Sequence, residues 1–337
     1  MADATEKDPA SEKTLRLVQY NVENLFLFLD LYKGQDLRKV TEQEWQKLSS
    51  SNTQNKPLHK VWALAKVIED IQPDILMLNE VGGIESLENF NKHFLGSRYK
   101  VLLKEGNSHR GIDVGYMVRA NLIDKSILIT HRDRPIHFLY PHESQTPSGG
   151  KSHYFSRDAA ELRLFRPGEN SPRLVILLTH LKSKLDPDGV DPEGKLRRAA
   201  ELRTLIELYK ELRHEIGPDV PVVIGGDFNG IASKTSTEPE FLSLHSDTDL
   251  IEVLELANTA PEERFTQVQV NPAGRQMFLQ IDYIFLSKTL QSCLVENGTY
   301  VYYYKNELGH RQQWPKNLEE RSKLPSDHYP VVTTIKL

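Results

Sequence analysis

The stretch Pro221-Val222-Val223-Ile224-Gly225-Gly226-Asp227-Phe228-Asn229 runs from continuous apolar residues into two glycines, a carboxylate and an amide. A short apolar run bounded by turn residues reads as a buried strand, here over Pro221–Gly226. Just upstream, Lys195–Arg213 carries Leu202, Leu205, Ile206 and Leu212 at helical spacing along one face. A helix followed by a fully buried strand is the building unit of layered α/β proteins. The end of the strand is the unusual part. A charge there must be paired, hydrogen-bonded or metal-bound, so Asp227 is either a local turn former or part of a site.

The same unit occurs earlier in the chain. Leu58, Val61, Trp62, Ala65, Ile68 and Ile71 fall at helical spacing, Pro73-Asp74 stops that helix, and the apolar run Ile75–Leu78 follows. Thr14–Asn21 alternates as a strand does. Val114–Val118, Ile127–Thr130, Glu161–Phe165, Leu174–Thr179, Gln280–Leu286, Tyr300–Tyr304 and Val331–Ile335 read as further strands. Arg166–Pro172 has the composition of a hairpin turn. Asp30–Lys56 reads as a long polar loop with one helical turn around Glu42–Leu48. Strands outnumber helices and include hairpins, which predicts mixed sheets in an α/β protein, not a purely parallel doubly wound one.

At 337 residues the chain is long enough for one large or two medium domains, with ample core. Its 42 Lys and Arg against 47 Asp and Glu give a net charge of −5, which excludes a histone-like basic binding mode. Nucleic-acid binding through a local basic patch or a bound metal stays open. A single cysteine, Cys293, allows neither an intrachain disulfide nor a thiolate zinc site and reads as a small buried hydrophobe. No run approaches eighteen apolar residues, so no membrane span is expected. Residues 1–13 read as a flexible polar leader and not as a signal peptide. The expected compartment is therefore cytoplasmic, or secreted or periplasmic if a signal has been cut away. A monomer is expected.

Six predicted strands carry acidic, amide or histidine residues at or near an end, Asp282 interrupting its strand. They are Asn21 and Glu23, Glu80, His180, Asp227 and Asn229, Asp282, and the pair Asp327-His328 just before the last strand. Each alone suits a turn or a helix cap, but six together point to one site. Carboxylate and amide oxygens suit magnesium or manganese, and the chain has no HExxH motif. It also has no P-loop. Gly150-Lys151-Ser152 imitates the end of one, but Gln145 stands where its first glycine belongs. The chemistry these residues fit is metal-assisted hydrolysis of a phosphate ester.

Tyr20-Asn21-Val22-Glu23-Asn24, Leu78-Asn79-Glu80-Val81, Thr179-His180-Leu181-Lys182-Ser183, Gly225-Gly226-Asp227-Phe228-Asn229, Ile281-Asp282-Tyr283-Ile284 and Ser326-Asp327-His328-Tyr329-Pro330 resemble, in order and spacing, the endonuclease/exonuclease/phosphatase family. That family includes the DNase I-like nucleases, and the chain looks nearest to its bacterial nuclease-type members. The resemblance implies a four-layer α/β sandwich, two packed mixed β-sheets with helices on the outer faces. It also implies one domain over residues 14–337, since the site draws on residues near both ends. Carried over residue by residue, it implies Glu80 as the main metal ligand with Asn21 and Asp327 at or near the metal. Asp227 and Asn229 would orient water and phosphate, Asp282 would hold His328, and His180 would sit against the phosphate. The implied cofactor is Mg2+, with Mn2+ as a substitute and Ca2+ as a structural ion.

Arg157, in Phe155-Ser156-Arg157, resembles the family's phosphate-contacting arginine, and Tyr154, Lys182 and Glu23 are further substrate-side candidates. Asp113 and Arg119 read as structural pairings. The inositol-phosphatase branch has an arginine two residues after the GDxN asparagine and a Cys-Asp-Arg around the later aspartate. Ile231 and Gln280-Ile281-Asp282-Tyr283 stand there instead. Two basic, aromatic-bearing loops, His131–Arg157 and Tyr304–Asp327, are expected to form the rims of a groove that tracks a nucleic-acid backbone. The expected activity is thus a magnesium-dependent hydrolase, a nuclease on DNA or RNA. The alternatives are a small-molecule or lipid-head-group phosphatase or phosphodiesterase, and a family member that binds without catalysis.

Overall fold

The computed structural model describes residues 14–122, 125–143, 151–186 and 189–337. The expected leader, residues 1–13, and the first part of the P-loop-like segment lie outside them. The first strands in chain order are β1 (Thr14–Leu25), β2 (Ile75–Val81), β3 (Tyr99–Leu103), β4 (Asp113–Arg119) and β5 (Lys125–Ile129). Next come β6 (Ala159–Phe165), β7 (Pro172–His180), β8 (Val222–Asp227), β9 (Ile251–Glu252) and β10 (Gln267–Val270). The last are β11 (Gln276–Leu279), β12 (Asp282–Leu286), β13 (Tyr300–Val301) and β14 (Val331–Lys336). The helices are α1 (Glu42–Gln46), α2 (Leu58–Ile71), α3 (Gly83–Phe94), α4 (Lys195–Ile216), α5 (Leu242–Ser246), α6 (Val253–Leu256), α7 (Lys288–Gln291) and α8 (Leu318–Ser322).

Two six-stranded sheets form, ordered β13-β14-β1-β2-β4-β3 and β5-β6-β7-β8-β12-β9. Each has one parallel pair near its centre, β1 with β2 and β7 with β8, while the other ladders are antiparallel. The mixed character expected from sequence is present. The two-residue period then sorts the apolar runs into layers. Leu174, Ile176, Leu178, Val223, Ile284 and Leu286 point to the core shared with the first sheet. Val175, Leu177, Val222, Ile224, Tyr283 and Phe285 point outward, beneath Leu202, Leu205 and Ile206 of α4. On the other side α2 and α3 cover the first sheet through Val61, Leu64, Ile68, Leu87 and Phe90. Helix, sheet, sheet, helix is the expected four-layer sandwich.

Local chemistry sets several boundaries. Thr41 and Glu44 cap α1 reciprocally, and α1 buries Trp45. Helix α2 ends on Gln72 in the left-handed region, one residue before Pro73. Two departures from the sequence reading stand out. Tyr300–Tyr304 was expected to be a strand, yet the ladder stops at Val301, because the next partner on β14's side, Pro330, has no N–H to donate. The β10–β11 hairpin was not anticipated, and it proves to bear on the site.

Candidate active site

The strand ends converge. Parallel pairing of β1 with β2 and of β7 with β8 brings Asn21 beside Asn79 and His180 beside Asp227. The antiparallel β8–β12 ladder sets Asp282 opposite Asp227. Gly226 makes this possible at close range, since a Cβ there would stand 2.1 Å from the Thr179 carbonyl oxygen. The residues surround a cleft of about 580 Å³ whose lining includes Glu80, His180, Asp227, Asn229, Asp327 and His328.

At its centre His328 Nδ1 lies 2.7 Å from Asp282 Oδ2. Asp282 is itself fixed, because Thr266 Oγ1 accepts from the Ile281 and Asp282 N–H groups at 3.0 and 3.1 Å. The backbone beneath His328 is pinned too. Ser326 Oγ donates to the Asn21 carbonyl (2.8 Å) and accepts from His328 N–H (3.1 Å), while Tyr304 OH donates to the His328 carbonyl. Burial alone would lower the proton affinity of this imidazole. The carboxylates of Asp282, Asp327 and Asp227 overcome that and hold its pKa well above the usual value. The other histidine behaves oppositely. Burial, with Arg157 and His328 nearby, holds the His180 pKa well below the usual value. His180 Nε2 lies 3.5 Å from Asp227 Oδ2, and its buried Nδ1 has no partner among the described residues.

Asp227 is pushed up to about 7 by burial and by the neighbouring Asp282 charge, partly offset by His328, the Asn229 N–H and Asn21. Asn21 Nδ2 donates to Asp227 Oδ2 at 3.0 Å, and Asn229 N–H to Oδ1 at 2.8 Å. Asn229 Nδ2 donates to the Leu181 carbonyl at 3.0 Å. Four residues at this rim, Glu23, Asn24, Glu80 and Asn229, have φ between 48° and 63°. Such left-handed backbone is costly for side chains of this kind and concentrates at functional sites.

Among the implied metal ligands, Glu80 has the most free capacity. Its carboxylate accepts one bond, from Asn24 N–H (3.1 Å), and no cationic side chain pairs with it among the described residues. Asp327 Oδ2 is held by Arg321 and by Gln267 Nε2 (3.3 Å), leaving Oδ1 at 3.9 Å from His328 Nε2. Asn21 Oδ1 already accepts from Glu23 N–H (3.0 Å). An all-oxygen donor set of this kind fits a hard divalent cation. Asp227, Asp282 and His328 also lie within 4.8 Å of one another at their ligand atoms. A cation bound there would compete with the Asp282–His328 pair for the same carboxylate and imidazole, so the Glu80 side is the better seat.

The substrate-side candidates divide. Arg157 lines the cleft, buried, touching only Ser156 Oγ (3.2 Å) and the Leu181 carbonyl (3.5 Å). Burial lowers its pKa, and it has no carboxylate partner among the described residues. Lys182 faces a neighbouring cavity instead. Glu23 reaches the cleft edge but is engaged by Lys60 (2.9 Å) and Lys56 (3.5 Å), so it is a charge partner for lysines. Tyr154 is a correction. It is exposed, bridges to Pro135 through the backbone, and lines neither cavity, because the hairpin-like pairing turns its side chain to solvent. Asp113 and Arg119 are structural, as expected: Asp113 accepts from Gly106 N–H (2.7 Å) and Arg119 pairs with Asp74 (3.3 Å).

Sequence reasoning missed Gln267, Arg110 and Arg321. Gln267 Nε2 stands 2.9 Å from His328 Nε2 and reaches Asp327 as well. Its only sequence signal was a place in the alternating run Gln267-Val268-Gln269-Val270.

A family model for the endonuclease/exonuclease/phosphatase family matches residues 18–328. No curated protein sequence matches significantly. Similar solved structures include a truncated TDP2 from Caenorhabditis elegans, with TM-score 0.56 and 17% identity over 96% of this chain and 98% of that one. The human Nocturnin catalytic domain with bound sulfate gives TM-score 0.55 and 17% identity over 96% and 95%. A mannosyl-6-phosphatase from Bacteroides thetaiotaomicron gives 0.53 and 16% over 95% and 98%. At this identity the likenesses speak for the fold alone.

Proposed function

The chain belongs to the endonuclease/exonuclease/phosphatase family, and from that premise we propose that it is a divalent-metal-dependent phosphodiesterase acting on nucleic acid. The observation that carries the reading is the pinned His328–Asp282 pair, facing the same cleft as unpaired Glu80 and the buried, unpaired Arg157. A cation in the cleft would offset the carboxylates that favour protonated His328 and lower its proton affinity, so that water aligned by Asp227 and Asn229 would give its proton to the neutral imidazole. Asp282 orients the imidazole and stabilises the imidazolium that forms. Arg157 would clamp the phosphate, and His180 would stand against a phosphate oxygen from the Asp227 side. A magnesium-like cation seated at Glu80, with Asp327 Oδ1 and the Asn21 amide oxygen at hand, would offset charge developing on the phosphate.

Unpaired basic groups favour a polymer. Among the described residues the Arg110 side chain donates only to Asn24 Oδ1 (2.7 Å), and it joins Arg157 along the cleft wall. A phosphatase acting on a small molecule is the second reading, favoured by a cleft volume suited to a single compact ligand. The deciding experiment sets purified protein with magnesium against plasmid, linear DNA, RNA, a generic phosphodiester and sugar phosphates, each with and without chelator. Chelator-sensitive cleavage of DNA or RNA is expected. Turnover of sugar phosphates with no polynucleotide cleavage would replace the first reading by the second.

A further inference from the structure

A second cavity, of about 610 Å³, adjoins the catalytic cleft, and Arg110, Arg157, Ser183 and Leu185 line both. His142, Lys182 and Arg197 line only the second. Among its described lining residues, four arginines and lysines face two carboxylates. Lys182 Nζ donates, among the described residues, only to the Ser183 and Leu185 carbonyls. The acidic groups in the wall are already engaged, Glu143 by His153 (2.8 Å) and Asp186 by the Val190 and Asp191 N–H groups (3.1 and 2.9 Å). Arg197 reaches Glu201 at 3.4 Å and holds the Tyr154 carbonyl. Burying like charges together is costly unless an anion offsets them. One phosphate in the catalytic cleft cannot satisfy side chains that face only the neighbouring cavity. That cavity also has an aromatic wall, where Tyr140 and His142 lie parallel with centroids 5.9 Å apart and planes at 8°.

We propose that this second cavity receives a further phosphoryl group of the same nucleotide substrate, next along the strand from the phosphate that is cut, with its base against the Tyr140–His142 wall. Arg157, shared by both cavities, bridges the two phosphates. Lys182, Arg197 and Arg110 supply the remaining charge, and the ring faces supply sequence-tolerant stacking. The inference rests on the phosphodiesterase reading above and adds to it that the enzyme senses what lies beside the scissile bond.

The test uses thymidine dinucleotides with no terminal phosphate, a 5′-phosphate or a 3′-phosphate, cleaved by native protein and by the double variant Arg197→Gln/His142→Ala. A terminal phosphate at one end is expected to raise kcat/KM about tenfold or more in the native protein, which corresponds to one well-placed charged contact. The double variant should lose that gain. Equal kcat/KM for all three substrates, or a gain that survives the double variant, overturns the proposal. Calorimetry with inorganic phosphate reads the cavity independently of turnover. Phosphate binding lost in the double variant supports the second site even if no dinucleotide is cut, an outcome that would sink the activity reading alone. Identical binding by both proteins would overturn the second site.

Discussion

His328 and Arg157 are both buried cations-in-waiting, yet their surroundings assign them different work. His328 is enclosed by carboxylates that favour its protonated form, whereas Arg157 has carbonyl and hydroxyl contacts but no carboxylate partner among the described residues. Replacing His328 by Ala should lower kcat by roughly 10²–10⁴, the usual worth of a positioned acid–base group, with little change in KM. Arg157→Met should instead raise KM. It should also leave the melting temperature unchanged or higher, since it removes a buried charge whose desolvation the more distant carboxylates of Glu201, Glu80 and Asp227 repay only in part. Steady-state kinetics with a thermal melt on each variant checks both. A silent His328→Ala, or an Arg157→Met that melts well below the native protein, would refute the assignment. The candidate residues were legible because a carboxylate or histidine closing an apolar strand is a conflict visible in one dimension. Gln267 raises no such conflict. An uncharged residue in an alternating strand reads as solvent-facing, and only the pairing of Gln267 with His328 turns it into the cleft.

At the scale of elements, continuous apolar runs announced β2, β7 and β8, and helical spacing announced α2 and α4, because burial on both faces leaves a dense signal. The short β9 and β13 left almost none, since a two-residue strand is defined by its partners. Where β9 runs into α6, Glu252 is fully buried and caps the helix. Its Oε2 accepts from Glu255 N–H at 2.8 Å, and its Oε1 has no partner among the described residues. Burial, reinforced by Glu255, pushes its pKa up to about 7 from 4.5. A raised carboxyl pKa means the folded state favours the protonated form. The associated stability is complete below about pH 4.5 and is lost as pH rises through about 7. Glu252→Gln keeps the capping oxygen without the charge. It should match the native protein in acid and exceed it by on the order of 3 kcal/mol at pH 8. Denaturant melts across that range measure the difference, and parallel pH profiles for the two proteins would exclude it.

Across the whole molecule the site is a seam between the sheets. Gln19 Nε2 donates to Asn79 Oδ1 at 2.5 Å, and Asn79 Nδ2 crosses to the Thr179 carbonyl at 2.9 Å, directly beneath the cleft. Because Asn21, Glu80 and Asp327 come from β1, β2 and the approach to β14, a cation seated among them should brace that end of the first sheet. Millimolar magnesium should raise the native melting temperature by several degrees and that of Glu80→Gln by much less, which a thermal-shift titration reads directly. Equal shifts for both would place the ion elsewhere. The same seam has a cost in time. Strand β1 pairs with β2 on one edge and with β14 on the other, Thr14 opposite Lys336. A ribosome adding ~5–20 residues per second needs roughly a quarter of a minute to a minute between those strands. Throughout that interval the edge of β1 that β14 will cover is open to any other strand, including another nascent chain. His328 emerges only three residues before β14 begins, so the candidate base and the strand that covers β1 leave the ribosome together.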